Sequence, residues 1–116
     1  MNKVPVKINV IREGCLPFYK HVTDACADCY ANIPDNLGLI KLKPNELCTI
    51  PLGFKLELPD GWKAVIYPRS GFSKKGIAVS TGTIDEGYRG EVGCTIQNLS
   101  GKDFIIHDMD RICQIG

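Results

Sequence analysis

Arg69-Ser70-Gly71 places a planar fork of donors, a hydroxyl and a residue without a side chain in consecutive positions. That combination suits the oxygens of a phosphate, because the glycine lets backbone amides approach a ligand closely. Downstream, Gly82-Thr83-Ile84-Asp85 ends a short apolar segment on a carboxylate, with Tyr88 and Arg89 just behind it. Together the two stretches read as a carboxylate poised beside an anionic ligand. Each also has a plainer reading: Arg69-Ser70-Gly71 as a turn, and Asp85-Glu86-Gly87 as a hairpin turn.

The elements that must hold these residues are strands. Val4, Val6, Ile8 and Val10 alternate with Pro5, Lys7, Asn9 and Ile11, the period of a half-buried strand. Cys15 to His21 is a short extended piece, Thr23 to Ala31 is loop-like, and Asn32 to Gly38 carries the Pro, Asn and Gly of a connection. Leu39 to Lys43, Glu46 to Pro51, Gly53 to Leu58 and Trp62 to Tyr67 follow as strands, the last delivering Pro68. After the central stretch come Glu91 to Asn98, Lys102 to His107 and Arg111 to Ile115. No segment of ten residues keeps a 3.6 period, so the expected fold is an all-β sandwich or barrel forming a single domain over residues 1–116.

Lys and Arg number 14 against 13 Asp and Glu. That balance leaves no broad basic face for nucleic acid, and any bound anion must be met locally. No apolar run is long enough to span a bilayer and the amino-terminal residues lack an apolar signal core, so a soluble cytoplasmic protein with reduced thiols is expected. Cys26-Ala27-Asp28-Cys29 has the C-x-x-C spacing of a zinc or redox site, yet no second pair and no nearby His completes four ligands. Cys94 and Cys113 lie in apolar strands and are expected in the core.

In order along the chain, Asp24-Ala25-Cys26-Ala27-Asp28-Cys29, Pro68-Arg69-Ser70-Gly71, Gly82 to Gly90 and Asp110-Arg111-Ile112-Cys113-Gln114 resemble four of the five motifs of the homotrimeric deoxyuridine triphosphatases, the dUTPases. The resemblance implies a jelly-roll-like β-barrel that trimerises, shares its active sites between subunits and cleaves dUTP to dUMP and pyrophosphate with Mg²⁺. It also implies roles. Asp85 would activate the attacking water, and Asp28 would support the magnesium through water. Arg69, Ser70, Gly71 and Gln114 would meet the phosphates. Arg111 would fix the fourth motif, Gly82, Thr83 and Ile84 would face the uracil, and Tyr88 would pack on the deoxyribose.

The sequence departs from the family pattern in places. Thr83 stands where Val or Leu is usual, and Phe72-Ser73 replaces Leu-Ala. The glycine-rich fifth motif does not occur by Gly116, so slow turnover is expected of the chain as it stands, with Lys74 and Lys75 the substitute cations to test. Two other functions compete. A dCTP deaminase of the same fold would need a catalytic Glu, for which Glu91 is the candidate. A dUTPase-fold regulatory protein would act through a protein partner.

Overall fold

The computed structural model describes residues 5–21, 23–34 and 38–116. Val4 of the expected first strand and Asp35 to Leu37 of the expected connection lie outside the described residues. Among the described residues, ten strands and one short helix follow in order: β1 (Lys7–Val10), β2 (Ala27–Tyr30), β3 (Leu39–Leu42), β4 (Leu47–Glu57), β5 (Ala64–Tyr67), α1 (Ser70–Lys74), β6 (Ile77–Val79), β7 (Gly82–Ile84), β8 (Glu91–Asn98), β9 (Phe104–His107) and β10 (Arg111–Ile115). One four-stranded sheet has the order β1-β4-β8-β6, a second has β2-β10-β5-β7, and β3 pairs with β9 in a two-stranded ribbon. Every pairing is antiparallel. The expected all-β architecture is therefore present, with the short helix as its one departure.

Period-2 alternation builds the core. Ile50, Leu52, Phe54 and Leu56 of β4 face inward against Val92, Cys94 and Ile96 of β8, all of them buried. Gly53 breaks the alternation in β4 at a shift of register between Pro51 and Lys55. It sits at φ +78, and a Cβ there would stand 2.6 Å from Cys15 Sγ, so only glycine fits the bulge. The residues read as two strands, Glu46 to Pro51 and Gly53 to Leu58, are thus one bulged strand. Pro51 is tolerated beside that irregularity, and its carbonyl accepts the Asn32 N–H at 2.8 Å.

Three expectations change. The segment from Thr23 to Ala31 was expected as loop, but Ala27–Tyr30 is β2, held by pairing to β10 rather than by its own propensity. The first strand was expected half-buried. In the single chain every residue of β1 is exposed, because β1 is an edge strand and Ile8 and Val10, opposite Leu56 and Phe54, reach past the covered part of the sheet. Asp85 to Gly87 does form a turn, with the Tyr88 N–H on the Asp85 carbonyl at 3.0 Å. It is not a hairpin, since β7 pairs with β5 while β8 pairs with β4 and β6.

Cys94 and Cys113 are buried as expected, with Cys29 opposite Cys113 in the β2–β10 register. Thiol–thiol hydrogen bonding and burial push the ionisation of Cys94 and Cys113 far up, so these sulfurs behave as small apolar side chains. The one fully buried polar side chain among the described residues is Asn98. Its amide nitrogen donates to the carbonyls of Leu42 (2.9 Å) and Lys102 (2.7 Å), and its oxygen accepts from Ser100. Arg12 and Asp108 close the opposite side through a two-pronged ion pair, while Asp108 also accepts the Ile33 N–H at 2.8 Å.

Asn98→Ala is expected to lower stability by roughly 1–3 kcal/mol, the cost of leaving the buried Leu42 carbonyl without its donor. Urea unfolding checks this, and a loss below about 0.5 kcal/mol would show that the loops hold without the amide. The hydrogen bonds from Arg12 hold the Asp108 carboxyl below the usual carboxylate range. A group whose pKa is depressed by folding contributes stability above its unfolded pKa of about 3.9 and loses it as pH falls through the folded value. The stability difference between the parent and Asp108→Asn should therefore be full at neutral pH and shrink on acidification through that range.

Candidate functional site

Strand β5 is only four residues long, and chemistry-bearing residues gather at both of its ends. Beyond its carboxyl end, Pro68 and Arg69 lead into α1, whose first residues are Ser70 and Gly71. Arg69 has extended backbone and its carbonyl accepts the N–H groups of Phe72 (3.1 Å) and Ser73 (3.4 Å). The N–H groups of Ser70 and Gly71 precede the first helical hydrogen bonds, as at any helix start. A single aromatic contact anchors this turn to the barrel: Phe72 is buried and meets Phe104 edge-on, with ring centroids 5.5 Å apart and planes at 81°. The sequence departure at Phe72 is thus the residue that positions Ser70 and Gly71.

Register brings the rest of this end together. Gln114 lies opposite Tyr67 of β5 on one side and Asp28 of β2 on the other. The three form a row on the outer face of the sheet, while Cys29, Cys113 and Ile66 point into the core. Gln114 Nε2 donates to the Pro68 carbonyl at 3.1 Å, which fixes the start of the phosphate-loop candidate to β10. The Asp28 carboxylate sits between two arginines, 3.4 Å from Arg69 Nε and 3.7 Å from an Arg111 guanidinium nitrogen. Arg69 also donates to the Arg111 carbonyl at 3.2 Å. These side chains border a cleft of about 500 Å³ lined by Lys20, Asp24, Cys26, Asp28, Arg69, Ser70, Gly71 and Gln114. A Cβ added at Gly71 would meet nothing within 4 Å, so the glycine leaves space in the cleft rather than relieving a contact.

At the other end of β5, Ala64 pairs with Ile84, Val65 with Thr83 and Ile66 with Gly82. Strand β7 is the edge of its sheet, so one row of its backbone donors and acceptors has no strand partner among the described residues. Asp85 follows on the surface, and a second pocket of about 310 Å³ is lined by Gly82, Thr83, Ile84, Asp85, Tyr88 and Glu91 among others. Tyr88 donates its hydroxyl to the Glu91 carbonyl at 2.8 Å. It can do so because Gly90 lacks a Cβ, which would stand 2.7 Å from that hydroxyl. Arg89 braces the turn by donating to the Glu86 and Tyr88 carbonyls, and Glu86 accepts the Gly61 N–H at 2.8 Å. Glu91 is committed to the barrel, since its Oε2 accepts from Asn32 Nδ2 (3.0 Å) and from the Gly53 N–H (2.8 Å).

The structure thus brings together Asp28, Arg69, Ser70, Gly71, Arg111 and Gln114 in one group and Gly82, Thr83, Ile84, Asp85 and Tyr88 in another. It does not bring the two groups together. Asp85 stands level with Lys63 and Arg69 six residues further along an extended chain, a separation of roughly 20 Å at about 3.3 Å per residue. Sequence reading missed Lys20 and assigned no role to Cys26 or Asp24, all of which line the first cleft. Cys26 lies in a bend just before β2 and lines the cleft, whereas Cys29 is fully buried in the core, so the two thiols do not converge on one metal. Burial pushes the Cys26 thiol up. Lys74 and Lys75, the cations expected from sequence, are exposed and do not line the cleft.

Among the described residues no three His, Cys, Asp or Glu side chains gather as a metal site. Asp28 and Asp24 are the carboxylates of this polar cleft, too few to enclose a cation by themselves, a donor set that fits Mg²⁺ held mostly by phosphate oxygens and water. No helix among the described residues is long and apolar enough to cross a membrane.

A family model described as dUTPase matches residues 18–115. A deoxyuridine 5'-triphosphate nucleotidohydrolase of Treponema denticola is 44% identical over 108 residues, covering 90% of this chain and 73% of that protein. One from Caulobacter vibrioides is 40% identical over 102 residues, covering 85% of this chain and 65% of its own length, so the chain spans just under two thirds of that relative. Among solved structures, the dUTPase from phage phi11 of S. aureus superposes with a TM-score of 0.85 at 23% identity, over 97% of this chain and 88% of that one. A mutant of the phi11 enzyme coordinates a structural Mg(II) ion. At that identity the likeness establishes the fold.

Asp28→Asn removes the charge that occupies Arg69 and Arg111. In the absence of divalent cations it should tighten the binding of inorganic pyrophosphate by about two- to fivefold, the size of an exposed charge pair, as measured by calorimetry. Weaker binding would show that the carboxylate is needed to hold the arginines in place.

Proposed function

This chain belongs to the dUTPase family, and from that premise we propose that it hydrolyses dUTP to dUMP and pyrophosphate in sites shared between three copies. The observation that carries the proposal is the division of the site in two. The cleft around Arg69 holds the donors that a triphosphate needs, and the pocket around Asp85 holds a carboxylate, an aromatic ring and an open strand edge. The two lie roughly 20 Å apart along one chain, too far for one nucleotide whose α-phosphate must reach Asp85 while its outer phosphates reach Arg69. A neighbouring copy that sets its cleft against this pocket completes the site. Exposure of the apolar β1 residues Ile8 and Val10 agrees with assembly.

In this reading the outward backbone N–H and carbonyl of Thr83, free of β5 because Val65 turns its own groups to Gly116, pair with the uracil in the manner of an added strand, with Gly82 and Ile84 flanking the base. Cytosine would set a donor against a donor, at about 1–3 kcal/mol for each unpaired group. Gly82 leaves the base room, since a Cβ there would meet nothing within 4 Å. The Tyr88 ring, held by its hydroxyl, packs on the deoxyribose and excludes a 2'-hydroxyl. Arg69, Ser70 and the Gly71 N–H hold phosphate oxygens, and Gln114 both braces Pro68 and offers its second amide hydrogen. Bound Mg²⁺ would be supported by Asp28 through water and would neutralise charge on the triphosphate. The Asp85 carboxylate accepts a proton from a water whose oxygen bonds to the α-phosphorus, while the bond from that phosphorus to the bridging oxygen breaks and pyrophosphate leaves. The deaminase alternative is disfavoured because Glu91, the residue it needs, is tied by two hydrogen bonds to Asn32 and Gly53.

Pyrophosphate release from dUTP, set against ammonia release from dCTP, tests the reaction. Asp85→Asn should keep dUMP binding and lose ~10²–10⁴-fold in turnover, the usual contribution of a general base. Turnover within a few-fold of the parent would move the role to another carboxylate. Tyr88→Ala should raise the use of UTP relative to dUTP, and an unchanged ratio would remove the ring from the sugar site. Light scattering should give a trimer. Mixing and reassembling two weak variants, Asp85→Asn and Arg69→Ala, should recover activity, because some sites then combine an intact Asp85 with an intact Arg69 from another copy. No recovery in mixed trimers would mean that each site is built from one chain.

A further inference from the structure

We propose that Lys20 is a phosphate-binding residue of the first cleft, the cation that meets the pyrophosphate portion of the bound nucleotide. The inference deepens the functional reading above and rests on it for the nature of the substrate.

Lys20 reaches the cleft through a strand-like turn. Phe18 and Asp28 exchange backbone hydrogen bonds in both directions, at 3.0 and 2.8 Å. Continuing that antiparallel pairing sets Lys20 opposite Cys26, two residues further from the barrel. The turn beyond is closed by the Asp24 N–H on the His21 carbonyl (3.1 Å) and by the His21 N–H on the Asp24 carboxylate (2.9 Å). Lys20 and Cys26 thus enter the cleft together, and both line it along with Arg69 and Ser70.

The charges explain why that position matters. Lys20, Arg69, Asp24 and Asp28 are the charged side chains that line the cleft, and their formal charges cancel. Arg69 is engaged with the Asp28 carboxylate and the Arg111 carbonyl, and Arg111 reaches the same carboxylate from beside it. Lys20 makes no ion pair among the described residues, and its ammonium keeps three donors for an incoming anion. Without it the lining would set two carboxylates against one arginine and repel a polyphosphate. A flexible ammonium suits the outer phosphates, which need charge more than fixed geometry, whereas the planar Arg69 suits a defined pair of oxygens.

The test uses Lys20→Met, which keeps the length of the stem, and Lys20→Arg, which keeps the charge. Because Lys20 is exposed, both should unfold at the parent's temperature. Lys20→Met should raise KM for dUTP and the inhibition constant of inorganic pyrophosphate by about two- to fivefold, with kcat little changed. Inhibition by dUMP, which lacks the outer phosphates, should not move. Lys20→Arg should restore most of the loss, and raised salt should narrow the gap between the parent and Lys20→Met. Equal pyrophosphate binding by the parent and Lys20→Met would overturn the proposal, as would an effect on dUMP of the same size. Calorimetry with pyrophosphate in Mg²⁺ separates this result from the function itself. If the parent binds pyrophosphate through Lys20 but does not cleave dUTP, the phosphate role stands and the assigned reaction falls. If the parent binds no pyrophosphate, the Lys20 proposal falls.

Discussion

The antiparallel register of β5 against β7 and β10 is the constraint on which the arrangement of this protein depends. Four residues, Ala64–Tyr67, carry Asp85 at one end through the pairing of Ala64 with Ile84 and the arginine loop at the other through Pro68. Pairing of Tyr67 with Gln114, and of Gln114 with Asp28, extends the second end across three strands. Because side chains alternate along a strand, a slip of one residue would send Asp28 and Gln114 into the core and bring Cys29 and Cys113 to the surface. The buried thiols and the polar row thus specify one another. Strand length is equally decisive, since it keeps the two chemical groups apart within one chain.

Around that register, polar contacts hold what apolar packing alone would leave loose. Asn98 ties the segments at Leu42, Ser100 and Lys102 through a fully hydrogen-bonded buried amide. Glu91 clamps Asn32 and the bulge at Gly53. Each is satisfied, and no buried side-chain polar atom among the described residues lacks a partner. The same economy removes Glu91 from chemistry, because a carboxylate that accepts two fixed hydrogen bonds is an anchor for the barrel. It also sets the position of Tyr88, whose hydroxyl ends on the Glu91 carbonyl beside a glycine that leaves it room.

Electrostatics in the first cleft are balanced rather than strongly positive. Asp28 between Arg69 and Arg111 orders the two guanidinium groups before any ligand arrives, at the cost of part of their attraction for anions. Lys20, which lines the same cleft and makes no ion pair among the described residues, offsets that cost. The balance within the cleft mirrors that of the whole chain, whose formal net charge is +1.

Much of this was legible in the sequence. Alternation in Gly53 to Leu58 and Glu91 to Asn98, together with frequent turn residues, determined an all-β fold, because period-2 burial and Gly-Pro punctuation act locally. The types of residue at Arg69-Ser70-Gly71 and at Asp85 likewise marked them as a cluster of donors and a carboxylate, since donor geometry and charge belong to the side chains themselves, but not that they stand apart within one chain. Only the tertiary structure decided which of these meet. Strand β2 forms by pairing with β10, although its own composition reads as loop. Phe72, a departure from pattern in the sequence, becomes the anchor of the turn that carries Arg69, Ser70 and Gly71 by meeting Phe104 thirty-two positions away. Lys20, which carries no motif, enters the cleft because Phe18 pairs with Asp28. Those outcomes depend on contacts between residues distant in the chain, and composition and spacing hold no record of a contact until the strands have paired.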